Sequence, residues 1–476
     1  MKQGHLVILG VKANSWAWGV EQTVSLANNG VDVTVLDFDL RGRKDSPRVR
    51  TQNRLLSFEK VKIVRTNKFV NSKSLKNMDT KARKWVKENA GNEDWINAQM
   101  EGLPIGRIVM SNYARIAGTR DFDLQVIPKN LQRKVISLAL LADHIYTLTA
   151  KDCSEISLSN GRSPIEAVFL IRARQNGQKV NVMERGASKT HWFVYKTSPH
   201  FAPDWWDMMT EVESQTPTAE LERISKEYWD TRLKGWDELS GRDWSREFQI
   251  GKIPSSLKSK CVMFFCTSQH EVPVVSEFEC ADRGFPNQQY AVRELVKLCQ
   301  ELDKKLVVKR HPNSLATDGV DREAADWEWI KSQKNVIYID PSSKVDTNAL
   351  LKMAESVLIF KSSVGIEASA LRIPARSMGP SKWSFRDETR VWNREALAQF
   401  IIEPKLLDVR IHQTWGYLAG TFGKKLNCFS KIAGGYAETL EGEIIYSADY
   451  YDRSLNTLIS RISNKIWSLR IKILRK

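Results

Sequence analysis

The sequence predicts an α/β fold built from two Rossmann-like domains that face each other across a cleft. Short apolar runs alternate with segments of helical spacing in both halves of the 476-residue chain. That alternation is typical of a parallel sheet with helices on both faces. Polar loops follow several of the apolar runs, and in such a sheet these loops share the carboxyl edge, where ligands bind.

The first half opens with a βαβ unit. Residues 6–11 are a predicted strand, 18–28 a helix that ends before Asn29-Gly30, and 31–36 an alternating second strand. The connecting loop has no GxGxxG pattern, so we expect no dinucleotide cofactor there. The other elements predicted in this half are strands at 61–64, 155–158 and 179–183 and helices at 135–146, 165–175 and 216–239.

Two loops in the second half are the most informative feature of the chain. Lys309–Asn313 follows the apolar run 306–308, and Ser362–Ala368 follows the run 357–360. The first loop is cationic, and the second offers hydroxyls at the start of a helix, which favours phosphate. This combination indicates a nucleotide or sugar-nucleotide site. The elements predicted around the loops are strands at 261–266, 306–309, 336–339 and 357–360 and helices at 289–302, 348–354 and 366–371.

The mixed, polar stretch 240–260 separates the halves, so we predict an N-terminal domain over 1–245 and a C-terminal domain over 258–400. Residues 401–476 are predicted to be a helical segment that packs back on the body and ends in a basic tail. The tail, from 453 to 476, has seven Lys or Arg residues, no acid, and apolar residues at helical spacing. Such an amphipathic helix can lie on an anionic membrane surface or pack on the protein.

The bulk composition limits the class of protein. With 42% hydrophobic and 27% charged residues and no apolar run near the ~20 residues that span a bilayer, the chain has the character of a soluble protein. The first apolar run is too short for a signal peptide. We therefore expect a cytoplasmic protein, with peripheral contact at the inner face of the membrane if the tail binds lipid. The six cysteines form no CxxC pair, so neither a zinc site nor a disulfide is expected.

Motifs in the second half resemble those of GT-B glycosyltransferases, which have two Rossmann-like domains. The pair His311-Pro312, the pair Ser362-Ser363 and the residues that follow it are similar to the donor-binding domain of bacterial capsule polysaccharide biosynthesis proteins. They are also similar to bacterial sialyltransferases and Kdo transferases. The sequence departs from the family at Arg372-Ile373, where a small glycine usually precedes the motif proline at 374.

The resemblance extends over roughly residues 155–380. Asn160-Gly161-Arg162 and Glu184-Arg185-Gly186 in the first half resemble the same family, as does the loop Thr267–Glu271. It implies an enzyme that transfers a sugar from a nucleotide-activated donor, with CMP as the expected nucleotide. The acceptor implied is a surface or capsular polysaccharide or a glycolipid.

The resemblance also implies roles for single residues. His311 stabilises the charge of the departing phosphate, and Glu184 is the general base for the acceptor hydroxyl. Glu367 contacts the ribose or lies just behind the phosphate loop. No DxD pair is evident, so we expect transfer without a metal and without a cofactor. The donor-binding residues implied are Thr267, Ser268, Glu271, Arg310, His311, Asn313, Ser362, Ser363 and Glu367, and the acceptor-binding residues are Asn160, Arg162 and Arg185.

Three alternatives remain open at this stage. A CDP-polyol phosphotransferase of the teichoic-acid type would use similar His and Ser contacts to phosphate. A GT-B scaffold without catalysis would keep the same fold. The net charge of +16 also suits a nucleic-acid-binding protein. The sequence has no recognition helix or RNP pattern, and we expect no nucleic-acid partner.

Overall fold

A computed structural model describes residues 4–10, 13–38, 50, 53–55, 57–69, 71–117, 124–234, 236–237, 242–243, 249–268, 284–315, 320–321, 323–433 and 436–446. The predicted amphipathic tail and Glu271 lie outside these residues. No helix of the described part is both long and apolar enough to cross a bilayer.

The first sheet has seven strands, of which the first five along the chain are parallel. His5–Leu9 is the middle one of the five parallel strands, and all five of its residues are buried, because helices cover both faces of the sheet. In spatial order the strands are β14 (Lys424–Lys425), β6 (His191–Tyr195), β5 (Lys179–Arg185), β4 (Glu155–Ser159), β1 (His5–Leu9), β2 (Val33–Asp37) and β3 (Val61–Arg65). The helices of this half are α1 (Ala13–Asn28), α2 (Ser72–Glu88), α3 (Ile105–Ala117), α4 (Lys129–Thr149) and α5 (Pro164–Gln175).

The second sheet has five strands, all parallel. Its central strand is also buried throughout. In spatial order the strands are β11 (Val336–Ile339), β10 (Leu306–Lys309), β9 (Cys261–Phe265), β12 (Ala354–Ile359) and β13 (Ala375–Ser377). The helices of this half are α8 (Gln288–Glu301), α9 (Ala324–Lys331), α10 (Thr347–Lys352), α11 (Val364–Ala370) and α12 (Arg394–Ile402).

Both sheets place their first parallel strand in the centre. The second and third parallel strands lie on one side of it, and the fourth and fifth lie on the other. This is the order of a Rossmann-like mononucleotide-binding unit, so the prediction of an α/β chain with two such units is confirmed. The strand order reverses between β1 and β4 in the first sheet and between β9 and β12 in the second. Ligands of open α/β sheets bind at such switch points, outside the carboxyl ends of the strands.

Three helices join the two halves: α6 (Ala202–Gln215), α7 (Thr218–Arg232) and α13 (Val409–Thr421). Helix α13 follows the second sheet in sequence but packs against α6, α7 and α11. Two indole N–H groups cross between the halves: Trp206 donates to the carbonyl of Ser381 at 2.7 Å, and Trp229 donates to that of His412 at 3.0 Å. The short strands β7 (Trp236–Asp237) and β8 (Arg242–Asp243) pair antiparallel, β7 just before the predicted boundary stretch 240–260 and β8 at its start.

The segment 401–476 was expected to be helical, and the structure corrects this for its described part. After α13, strand β14 extends the first sheet, and β15 (Phe429–Ala433), β16 (Tyr436–Thr439) and β17 (Ile444–Tyr446) form an antiparallel sheet. Residues 440–443 connect β16 to β17 and include Gly442, whose φ of +81° is left-handed and suits glycine.

The antiparallel sheet packs on helix α1. The ring of Phe429 meets the edge of Trp16 at 5.9 Å between centroids. The buried carboxylate of Glu21 accepts the backbone N–H groups of Asn427 and Cys428. Burial raises the pKa of Glu21 above its ordinary value. The end of the described chain therefore belongs to the first half, although it follows the second.

Arg372→Gly is expected to stabilise the protein by about 1 kcal/mol. Arg372 is exposed and follows α11 with φ +58°, a left-handed conformation that costs a non-glycine residue about that much. The free energy of unfolding in urea measures the effect. Lys352→Gly, at a helical position in α10, is the control and should cost stability. No gain from Arg372→Gly would contradict the assigned strain.

Candidate functional site

Three loops lie side by side at the carboxyl edge of the second sheet. Phe265 is in register with Lys309 on one side and Ile359 on the other. These three residues end their strands, so the loops that begin at Cys266, Arg310 and Phe360 leave the sheet at one level. Because adjacent strands are about 5 Å apart, the ends of β10 and β12 flank that of β9 with about 10 Å between them. This span suits a phosphate and the groups attached to it.

The ring of His311 is oriented by its own loop. Its Nδ1 accepts the backbone N–H of Asn313 at 3.0 Å, where a single turn of 3₁₀ helix, Pro312–Ser314, begins. This bond assigns the proton of the neutral ring to Nε2, because an accepting nitrogen has no hydrogen. His311 thus has an N–H donor on Nε2. The backbone N–H of Asn313 orients the His311 ring.

The hydroxyls of Thr267 and Ser268 are buried at the β9/β12 switch point. Neither has a hydrogen-bond partner within the part of the chain that the structure describes, and Ser268 is 0% exposed. The backbone here is held firmly, because Gln288 accepts the N–H of Thr267 at 2.6 Å and donates to its carbonyl at 3.2 Å. A buried hydroxyl without a partner costs free energy, and a bound group that accepts its hydrogen would remove that cost.

The loop after β12 uses its two serines differently. The Oγ of Ser362 accepts the backbone N–H of Val364 at 3.2 Å, a bond that leaves its own hydroxyl hydrogen for another acceptor. The exposed Ser363 donates its hydroxyl hydrogen to Oε1 of Glu367 at 3.2 Å. Gly365 has no room for a side chain, because a Cβ there would overlap the Trp383 ring and lie 2.9 Å from Ile359. Helix α11 has only seven residues, so side chains rather than a helix dipole define this loop.

The structure contradicts the predicted donor contact of Arg310. Its side chain is 1% exposed and forms ion pairs with Asp321 at 3.1 Å and Glu323 at 2.9 Å. Its guanidinium also lies 5.0 Å from the centroid of the Trp327 ring. Arg310 therefore faces α9 rather than the sheet edge, and adjacent residues of a strand point in opposite directions.

Glu367 lies behind the serine loop rather than at a ribose. Its carboxylate is 9% exposed and is bonded to Ser363 and, at 2.6 Å, to Nη2 of Arg232. Of the two positions expected for this residue, the geometry favours the second.

Asn160 and Glu184 meet at the carboxyl edge of the first sheet. Strands β4 and β5 pair Ser159 with Met183, so the next residues are neighbours, and the amide of Asn160 donates to Oε2 of Glu184. Oε1 of Glu184 accepts the N–H of Arg185 at 3.1 Å. Asn160 and Gly161 are both left-handed, with φ of +53° and +70°, which turns the chain sharply after β4. Arg185, the last residue of β5, is partly buried beside Trp192 of β6.

Arg162 belongs to a cationic cluster that the sequence did not indicate. Its Nη1 lies 3.3 Å from Nε2 of His200. Burial and the charges of Arg162 and Lys382 hold the pKa of His200 well below its ordinary value. Lys382 comes from the second half, and its ammonium lies 4.5 Å from the centroid of the Trp205 ring in the first half. Arg162, His200 and Lys382 are far apart in the sequence and only the tertiary fold brings them together, so no sequence motif indicates the cluster.

Among the residues that the structure describes, no group of three or more His, Cys, Asp or Glu side chains is placed to hold a metal ion.

No family model matches the chain, and no curated protein matches it in sequence. Among solved structures, the Thermosulfurimonas dismutans KpsC beta Kdo 2,4 transferase aligns with 56% of this chain and 79% of its own, at a TM-score of 0.36 and 12% identity. The Methanocaldococcus jannaschii UDP-GlcNAc 2-epimerase aligns with 87% of this chain over 98% of its own length, with a TM-score of 0.26 and 9% sequence identity. Acinetobacter baumannii MurG aligns with 89% of this chain over 96% of its own length, with a TM-score of 0.25 and 9% sequence identity. Values this low do not assign the chain to any of these families.

Arg310→Met is expected to destabilise the protein by about 3–5 kcal/mol, because it leaves two acids without their buried partner. Denaturant unfolding measures this loss. Lys304→Met, which breaks a half-exposed pair with Glu355, is the control and should cost less than about 1 kcal/mol. If Arg310→Met kept full stability and lost only ligand binding, the residue would belong to the site after all.

Proposed function

We propose that this protein is a metal-independent glycosyltransferase that uses a nucleotide-activated sugar, with CMP as the expected nucleotide. The observation that carries the proposal is the β9/β12 switch point, where two buried hydroxyls that have no partner among the described residues lie between two polar loops. The strand order of both halves and the motif resemblance of residues 155–380 support it. The enzyme would act on a capsular or surface polysaccharide or a glycolipid, at or near the inner face of the membrane.

The donor phosphate would bind at the edge of the second sheet. His311 provides an N–H donor on one side, Ser362 provides a hydroxyl on the other, and Thr267 and Ser268 provide hydroxyls between them. As the bond to the sugar breaks, negative charge grows on the phosphate. Donors that are already in place stabilise this charge without a reorganisation cost.

The acceptor would bind at the edge of the first sheet. Glu184 is the proposed general base, because a carboxylate has about four lone-pair sites and the bonds from Asn160 and Arg185 occupy only part of them. Asn160 fixes the orientation of this carboxylate through its amide. Arg162, with His200 beside it, would orient the acceptor from the adjacent loop.

CMP is expected to raise the melting temperature of the protein more than CDP, UDP or GDP does. His311→Ala should weaken binding of the preferred nucleotide by about 1.5–3 kcal/mol, the usual worth of a hydrogen bond to a charged group. Thermal shift identifies the nucleotide, and isothermal titration gives the affinity.

His144→Ala, on α4 of the other half, is the matched control for that experiment and should leave the affinity unchanged. Stabilisation by none of the four nucleotides would refute the transferase. A preference for CDP together with turnover of a CDP-polyol would favour the phosphotransferase instead.

Ser268→Ala is expected to have opposite effects on stability and on binding. Without ligand, removing a buried hydroxyl that has no partner should raise the free energy of unfolding by about 1 kcal/mol or more. With nucleotide present, the same change removes a donor and should weaken binding. Unfolding and titration of one variant measure both quantities. Ser356→Ala, which removes an equally buried hydroxyl near the opposite edge of the sheet, should change stability only.

A further inference from the structure

A buried ion pair lies directly behind the serine loop and joins the two halves of the molecule. Arg232 is the last residue of α7, and its Nη2 lies 2.6 Å from Oε1 of Glu367 in α11. The two side chains are only 12% and 9% exposed. The same Oε1 accepts the hydroxyl of Ser363 at 3.2 Å. A single carboxylate oxygen thus connects the loop after β12 to a helix that precedes the second sheet in sequence.

The negative charge of this carboxylate would repel a phosphate at the proposed site. Glu367 lies one hydrogen bond away from the loop that is proposed to hold a phosphate, and like charges at that range repel strongly where water is excluded. A buried carboxylate without a countercharge would oppose every anionic ligand. The guanidinium of Arg232 provides the countercharge at contact distance.

The end of α7 is held in place by more than this pair. Asn348, the second residue of α10, donates its side-chain amide to the carbonyl of Leu233 at 2.9 Å. The indole of Trp229, one turn earlier in α7, donates to the carbonyl of His412. The position of the Arg232 backbone is therefore fixed by contacts between the two halves.

We propose that Arg232 is a positioning residue for the nucleotide site of the second half. It acts through Glu367, which it neutralises, and so it lets the serine loop accept an anion while Ser363 remains bonded to the carboxylate. This inference rests on the proposed function, because it takes the nucleotide phosphate as the ligand. It adds a residue from the first half to a site that otherwise consists of the second half alone.

A double-mutant cycle with a charged and an uncharged ligand tests the proposal. Arg232→Met should weaken binding of CMP ~10-fold or more, because it exposes the phosphate to one uncompensated charge. Binding of cytidine, which has the same base and ribose but no phosphate, should change little. The variant that combines Arg232→Met with Glu367→Gln should recover CMP affinity to within ~3-fold of the unmodified protein, because the repelling charge is gone. Isothermal titration measures CMP and cytidine binding to the unmodified protein, to each single variant and to the combined variant. Arg232→Lys keeps the positive charge and should retain most of the CMP affinity.

The control variant is Arg223→Met, which removes an exposed arginine of the same helix and should have no effect on either ligand. The proposal is overturned if Arg232→Met binds CMP normally, if it loses CMP and cytidine equally, or if the combined variant does not recover. Each of these results leaves the proposed function standing, provided that the unmodified protein binds CMP. If the unmodified protein binds no nucleotide in the screen, both fail together.

Discussion

The complete burial of β9 between two parallel neighbours is the constraint on which the rest of the second half depends. All five of its residues are buried, and both sides of the strand are paired. Parallel pairing requires crossovers that return the chain to the same end of the sheet, so every loop that follows a strand emerges at one edge. The site loops are neighbours for this reason, although almost a hundred residues separate the first from the last.

The same burial has a cost at the end of the strand. Where β9 leaves the sheet, the hydroxyls of Thr267 and Ser268 are still enclosed but no longer have partners in the described chain. A fold selected for stability alone would place apolar residues here, since a hydrophobic replacement avoids the cost of a buried polar group. Other buried polar atoms of the described chain, such as the hydroxyls of Ser356 and Thr414, also have no partner, but Thr267 and Ser268 are adjacent and lie at the switch point, where one ligand could accept from both.

Sequence reasoning succeeded where local pattern decides the structure and failed where distant contacts decide it. The central strands were predicted because short apolar runs have few alternatives inside a parallel sheet. Strands β15, β16 and β17 were missed, because they have only five, four and three residues and their sheet depends on docking against α1. Asn160 and Glu184 were predicted to follow two strands, and the structure adds that these strands pair, which makes the two residues neighbours. The partners of Arg310 and Glu367 did not, because no spacing rule links a residue to an ion partner on another element.

Arg310 and Arg232 show what this difference means for function. The charge of Arg310 is used within one half, by acids on the following segment, so it adds nothing to the potential at the sheet edge. The charge of Arg232 crosses from one half to the other and meets an acid beneath the serine loop. A buried pair seldom stabilises a protein more than apolar residues of the same size do, so its value lies in the geometry that it enforces. Arg232 can neutralise the charge of Glu367 only when the two halves are in contact. The proposed anion site, which lies in front of this ion pair, is therefore complete only when the two halves of the chain are packed together.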